Sequence, residues 1–521
     1  HNFRNGEDTA TAARDGEGGT ENRYQRLLNH VIREGVPTKV LMLSATPVNN
    51  RFRDLRNQLA LAYQGDPEAW SEKLGLSSNV EEVFRRAQGA FKAWSQLPAD
   101  ERTTESLMDS LDFDFFRVLD EVTVARSRKH IQRYYDVNAI GPFPRRNHPI
   151  SIYPKLSTRP GSTTYNEIAN SLDLLKLAVY MPSHYLLDSA KGKYEDKNGN
   201  LTTGGRETGV RKLMAANLLK RLESSVSSFR LTLERVFSVM NQCLNTIEVF
   251  KAEGATSKNV DASEFGAGFD LDYEDADFMD FSVGGKTQLD LRDLDWKSWE
   301  KDVRDDAQTI EGLLEMIRDI DAEHDDKLLK LEQLIAEKIT HPINPGNKKV
   351  IIFTAFADTA NYLYEHISSF ARERLGLGVA EVTGTGGGKT TVEGVRGDLS
   401  EILTCFSPVS KERDKIYPRL AGKDIDILIA TDCISEGQNL QDCDYLVNFD
   451  IHWNPVRIVQ RFGRVDRIGS KNDVIQLVNF WPCEDLDNYI HLKSRVEDRS
   501  HAMTLAATGD DDCINEDERG D

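Results

Sequence analysis

Between positions 350 and 480, five short and almost uninterrupted apolar runs alternate with stretches of helical spacing. The runs are 350–354, 380–382, 425–430, 445–449 and 474–480. A strand that is apolar at every position has no face to give to water, so both of its faces must be covered. The intervening helices supply that cover, and the pattern predicts an α/β fold: a parallel sheet with helices on both faces. Ligands of such sheets bind outside the carboxyl ends of the strands, so the residues that follow each run are the first place to look for chemistry.

Upstream, the spacing predicts more helix than strand. Residues 24–32 have helical periodicity, 39–43 read as one more buried strand, and 55–128 are helical with Trp70, Phe84, Phe91, Trp94, Phe113 and Phe116 as anchors. Pro142, Pro144 and Pro149 mark an extended crossing. From 165 to 250 the pattern is helical again, with Leu218, Leu222, Val226, Phe229, Leu233, Val236 and Met240 on one stripe.

The formal net charge of −20 argues against a nucleic-acid partner only if it is spread evenly. It is concentrated instead. Residues 261–300 hold twelve carboxylates against three basic groups, and residues 504–521 hold seven against one. These read as a solvated acidic linker and a disordered tail, and the remainder is close to balanced. No run approaches the roughly 20 apolar residues of a membrane span, and no signal-peptide pattern opens the sequence. The six cysteines form no Cys-x-x-Cys pair, which leaves neither a zinc site nor a disulfide framework to expect. The expectation is a cytoplasmic protein with buried, reduced thiols.

The most informative segment is 429–470. After one apolar run comes Thr431-Asp432-Cys433-Ile434-Ser435-Glu436-Gly437-Gln438-Asn439-Leu440, polar and small residues at a strand's carboxyl end. The next run leads to Asp450-Ile451-His452-Trp453-Asn454-Pro455, where Asn454 suits a helix cap and Pro455 a first helical residue. Gln460, Arg464 and Arg467 then follow at spacings of four and three, predicting an amide and two guanidinium groups on one helix face. Arginine's planar fork takes phosphate oxygens in pairs and keeps its proton, so the trio reads as a phosphate clamp. Taken alone, a solvated basic face explains it equally well.

Its surroundings decide. Gln460-Arg461-Phe462-Gly463-Arg464-Val465-Asp466-Arg467-Ile468-Gly469 resembles motif VI of the superfamily 2 helicases and translocases, in the chromatin-remodeler-like, sucrose-nonfermenting branch. Leu43-Ser44-Ala45-Thr46-Pro47-Val48-Asn49-Asn50 resembles motif III, 350–356 motif IV, 430–440 motif V, and 450–455 that branch's Asp-x-x-Trp-Asn-Pro block. The Ser435-Glu436-Gly437 wording is closer to bacterial members. The resemblance implies a RecA-like second lobe at 301–503, preceded by the end of a first RecA-like lobe with a helical extension at 1–150. A largely helical insertion at 151–260 and the acidic linker at 261–300 lie between them, and an acidic tail follows at 504–521.

The same resemblance implies an ATP hydrolase that moves along double-stranded DNA. Arg464 and Arg467 would be arginine fingers at the γ-phosphate, with Gln460 orienting them. His1, Asp432, Glu436, Gly437 and Asn439 would line the ATP cleft. Ser44, Ala45 and Thr46 would couple nucleotide state to the nucleic-acid grip, and Thr354 and Thr431 would touch nucleic-acid phosphates. Mg²⁺ would accompany ATP, with no metal ligand in this chain, because His1 matches the last residue of motif II and the phosphate loop would lie upstream. The chain alone is therefore expected to be inactive.

Two further patterns are set aside. Gly384-Thr385-Gly386-Gly387-Gly388-Lys389-Thr390 resembles a phosphate loop, but the position that requires the first glycine is Thr383. His491-x-Lys493-x-x-x-x-Asp498 matches half of a phospholipase-D-type nuclease signature, whose chemistry needs two copies. The competing readings are an RNA helicase and a non-catalytic module that docks a partner protein through the helical insertion.

Overall fold

The computed structural model describes residues 23–35, 39–43, 52–64, 66–98, 101–124, 128–136, 141–194, 203–254, 259–261, 288–384, 387–434, 437–452, 454–483 and 496. The chain divides into two units, one of His1–Pro142, Trp453–Val459 and Leu492–Asp521, the other of Phe143–His452 and Gln460–His491.

In the first unit, helices α1 (Phe52–Ala62), α2 (Val80–Trp94) and α3 (Phe113–Val122) share a core. Phe115 is fully buried, its ring edge-on to Phe52 at 4.9 Å and to Phe84 at 5.7 Å. Both α2 and α3 begin at a side-chain cap, Asn79 accepting from the amides of Glu81 and Glu82 and Asp112 from that of Asp114. Residues 39–43 depart from expectation. They pair with no strand, and Leu41 and Leu43 are 86% and 87% exposed. An apolar run becomes a strand only beside backbone partners, and among the described residues of this unit none offers them.

The second unit holds the sheet. Its strands are β1 (Arg145–Arg146), β2 (Ile150–Ile152), a separate hairpin pair β3 (Asn259–Asp261) and β4 (Gln288–Asp290), then β5 (Val350–Phe353), β6 (Val379–Val382), β7 (Lys389–Thr390), β8 (Ile427–Ala430), β9 (Tyr445–Asn448) and β10 (Val474–Phe480). The order is β1-β10-β9-β5-β8-β6-β7, with β2 also on β10. Every pairing in it is parallel except that of β7 with β6. The five apolar runs are all strands. The proline-marked crossing adds β1 and β2 at the outer edge, where a missing N–H costs no ladder bond.

Helices α4 (Thr203–Ser224), α5 (Val226–Ala252), α6 (Trp296–Met316), α7 (Asp326–Thr340), α8 (Ala357–Phe370), α9 (Leu399–Phe406) and α10 (Pro455–Phe462) complete the elements used below. Val350, Ile352, Ile427, Ile429 and Val447 pack with Leu328, Leu331 and Ile335 of α7 and Leu363 and Ile367 of α8. The alternate residues Ile351, Phe353, Leu428 and Leu446 point to the other face and are equally buried, so both faces are covered.

The helical layer belongs to this unit. The stripe from Leu218 to Met240 is buried as expected, but it spans two helices rather than one. The chain breaks at Ser225, extended at φ −161°, whose hydroxyl accepts from the Ser228 amide to start α5. Helix α5 packs on both α4 and α6. A boundary at 301 would fall inside α6, where Trp299, Val303, Ile310 and Leu313 are buried. Cys243, Cys405 and Cys443 are buried thiols, whereas Cys433 is exposed. Among the described residues no helix is long and apolar enough to cross a membrane.

Candidate functional site

Strands β5, β8 and β9 end in register, with Phe353 opposite both Ala430 and Asn448. Thr354, Thr431 and Phe449 therefore leave the sheet along one edge, and Asp432 and Asp450, also singled out in the sequence, follow them at this carboxyl pole. Asp450 organises it. One carboxylate oxygen accepts from the Thr354 hydroxyl at 2.5 Å and the Ser224 hydroxyl at 2.6 Å, the other from the Ala355 amide at 2.7 Å. Thr354 is fully buried, so its hydroxyl is committed to Asp450 rather than held out for a nucleic-acid phosphate. The Ser224 and Ser225 hydroxyls also bond Thr359, at 2.7 and 2.9 Å, and Arg221 pairs with Asp358 at 2.7 Å. The junction of α4 and α5 is thus bonded into the strand ends.

Arg461, unassigned from the sequence, is the second organiser. Its side chain is fully buried and grips Asp432 with two parallel bonds of 2.7 and 2.8 Å. It also donates to the Asn448 side chain at 3.0 Å and the Asp450 carbonyl at 3.2 Å, and its guanidinium lies 5.3 Å from the Phe353 ring. Asp432, expected to line the ATP cleft, is spent on this fork. The pairing fastens the loop after β8 to the ends of β5 and β9.

Asn454 caps α10 as expected, its side chain accepting from the Val456 amide at 3.0 Å. The helix stops at Phe462, however, so Arg464 and Arg467 sit on the following turn and not on the helix face that their spacing predicts. The Leu440 amide takes the Arg464 carbonyl at 3.1 Å, and Arg146 of β1 donates to Asp466 at 2.8 Å, and these contacts draw the chain out of the helix. The two guanidinium groups still converge. Arg464 donates to the carbonyls of Gln460 at 3.0 Å and Gln438 at 3.2 Å; Arg467 donates to those of Gly463 at 3.1 Å and Gln438 at 2.9 Å. Burial lowers the Arg467 pKa from its ordinary value, the sign of a cation drawn partly out of water.

The remaining expected residues have plain positions. Gly437, just before Gln438, is at φ +74°, a left-handed conformation that glycine adopts without strain. The Asn439 side chain accepts from the Gln441 amide at 3.4 Å, and Gln460, nearly buried, contributes its carbonyl to Arg464. Thr431 is 8% exposed, with its amide on the Val382 carbonyl. Lys389 pairs with Glu381 at 3.1 Å from the β7 edge, a use that fits a loop rather than a phosphate cradle. His1, Ser44, Ala45, Thr46 and Glu436 lie outside the described residues, as do most of 261–300, nearly all of 491–498 and the tail. Among the described residues no group of three or more His, Cys, Asp and Glu side chains could hold a metal ion.

The family profile of the helicase conserved C-terminal domain matches residues 326–469. The chain is 33% identical over 169 residues to the uncharacterized ATP-dependent helicase YqhH of Bacillus subtilis (strain 168), a match covering 32% of this chain and 24% of that protein. It is 43% identical over 65 residues to the RNA polymerase-associated protein RapA of Vibrio campbellii, covering 12% of this chain and 7% of the other. The crystal structure of the C-terminal part of the Fun30 ATPase domain aligns with 67% of this chain and 89% of that one at 14% identity and a TM-score of 0.29. The chain spans about a quarter or less of the curated relatives it matches. Residues 326–469 are thus a helicase conserved C-terminal domain, and the chain resembles the superfamily 2 helicases and translocases of the bacterial, sucrose-nonfermenting-like kind.

Proposed function

We propose that this chain supplies the phosphate-engaging second lobe of an ATP-driven motor that tracks along duplex DNA. The observation that carries the reading is the convergence of Arg464 and Arg467 on the Gln438 carbonyl beside the strand ends. No carboxylate pairs with Arg467 among the described residues, and a half-buried guanidinium left in that state is complementary to an anion. Such groups act as arginine fingers: they neutralise charge as it spreads over the phosphoryl oxygens, an effect worth about 10³–10⁵ in rate. Gln460 would set the angle of Arg464 through its carbonyl. Because Arg461 ties Asp432 to the strand ends, a shift of the loop after β8 would be passed to Asp450 and the backbone at Thr354. Thr431 is then the better candidate to meet a nucleic-acid phosphate, a contact that positions without reading sequence.

No stretch of the 521 residues completes Gly-x-x-x-x-Gly-Lys-[Ser/Thr]. Hydrolysis is accordingly expected from a protein that joins this chain to such a loop, and not from the chain alone. The test is the ATPase rate of the whole protein with duplex DNA, single-stranded DNA and RNA at several salt concentrations. Stimulation chiefly by duplex DNA is expected; a rate indifferent to all three would count against translocation, and a preference for RNA would move the reading to an RNA helicase.

A further inference from the structure

Gln438 has a third cationic neighbour. Lys411 lies in the connection between α9 and β8, and its ammonium donates to the Gln438 side-chain oxygen at 2.8 Å. The connection is held rigidly. The Lys411 amide bonds the Ser407 carbonyl at 3.1 Å, the Ser407 and Ser410 hydroxyls share a 2.7 Å bond, and the Asp442 carboxylate accepts from the amides of Val409 at 2.6 Å and Ser410 at 3.0 Å. The Asp442 carboxylate is therefore turned to the backbone.

No carboxylate pairs with Lys411 among the described residues. Burial lowers the Lys411 pKa from its ordinary value, and the Arg467 charge lowers it further. Lysine on a flexible stem normally carries its charge to water. Here the ammonium is instead held on the side-chain oxygen of a glutamine whose main-chain carbonyl accepts from Arg464 and Arg467. Gathering like charges costs free energy unless an anion joins them.

Resting on the phosphate-engaging reading above, we propose that Lys411 acts with Arg464 and Arg467 as a third cation that binds the terminal phosphates of a nucleoside triphosphate. A duplex backbone could offer the same chemistry, so the test separates the two sources. Inorganic tripolyphosphate binding to the full chain is read by ³¹P NMR titration, and binding of a short DNA duplex by fluorescence anisotropy, for the native chain and for Lys411→Met, Lys411→Arg and Arg467→Met. Lys411→Met should weaken tripolyphosphate binding by roughly tenfold or more, the scale of one charge-assisted hydrogen bond. Lys411→Arg should stay within about threefold of the native chain, and duplex affinity should not change in either variant.

If Lys411→Met binds tripolyphosphate like the native chain while Arg467→Met does not, the lysine is no part of the clamp and the proposal fails alone. If neither substitution matters, the clamp itself fails with it. Loss of duplex binding with tripolyphosphate binding intact would assign Lys411 to a nucleic-acid backbone and overturn the proposal. A Lys411→Met chain that does not fold leaves Lys411→Gln, judged by the same two titrations.

Discussion

Arg461 and Arg467 stand one short turn apart and use the same guanidinium in opposite ways. Arg461 is fully buried and doubly bonded to Asp432, while Arg467 is half-buried and bonded to two backbone carbonyls. Removing Arg461 would take the two-bonded partner from the Asp432 carboxylate, and breaking a buried pair from one side costs about 3–5 kcal/mol. Arg461→Met should therefore lower the urea midpoint of the second unit markedly. Arg467→Met leaves no charge without its partner and loses only bonds to two backbone carbonyls, so its unfolding free energy should fall by about 0.5–1.5 kcal/mol. Its consequence belongs to turnover: in the whole protein ATP hydrolysis should fall by about 10³, the low end for losing an arginine finger. Equal destabilisation by both substitutions would remove this division of labour. Motif spacing picks out Arg464 and Arg467 because phosphate chemistry demands their residue type there. It is silent on Arg461, whose role depends on Asp432 far away in sequence, and on Lys411, whose partner Gln438 looks like any polar loop residue.

At the scale of elements, the join between the helical layer and the sheet is where burial and charge meet. Lys327 of α7 donates to the last carbonyls of α4, Glu223 at 2.6 Å and Ser224 at 3.1 Å, with its ammonium 4.6 Å from the Phe449 ring. Those carbonyls have no partner inside their own helix, so Lys327→Met should cost about 1–3 kcal/mol, read as a shift in the denaturation midpoint. The Glu223 carboxyl beside it is pushed up to about 8, chiefly by burial and further by Asp450, while Lys327 pulls it back. A carboxyl raised in the folded state holds its proton longer than in the unfolded chain. Its contribution is therefore fully present below about pH 4.5 and is lost as pH climbs toward about 8. Glu223→Gln abolishes that loss. Chemical denaturation at pH 5 and pH 8.5 should show native and variant chains alike at the lower pH and the variant more stable at the higher. The slope between them is at most about 1.4 kcal/mol per pH unit, and parallel stability at both pH values would show that Glu223 does not titrate in this window. This join was only half legible. The strands could be read because apolar runs buried on both faces admit few other structures. The stripe from Leu218 to Met240 shows buried positions but not the break at Ser225, because an extended residue between two helices preserves the spacing on either side. Helix α6 is hidden by the charges around Trp296 and Trp299, which dominate any count taken over forty residues.

For the whole molecule the issue is where the negative charge sits. Residues 262–287 carry seven carboxylates against one lysine. Their ends are fixed by the antiparallel pairing of Asn259–Asp261 with Gln288–Asp290, and Trp299 just beyond is fully buried. The sequence suggests that an acidic segment competes with nucleic acid for basic groups, and deleting 261–300 would test this, but that deletion would also remove β4 and the first turn of α6. The cleaner change replaces only 262–287 with a short glycine-serine linker, which keeps the β3–β4 pairing and the Trp299 core. A tethered polyanion is a local competitor whose strength is set by screening, with a Debye length of about 10 Å at 0.1 M salt and about 3 Å at 1 M. Duplex DNA affinity, measured by fluorescence anisotropy, should accordingly rise by roughly three- to tenfold at low salt and return to the native value near 0.5 M, where phosphate contacts themselves weaken. Because both chains keep the same basic groups, the competition predicts a steeper salt dependence for the shortened chain. Equal affinity at low salt would mean that the acidic residues serve only as a solvated tether between β3 and β4.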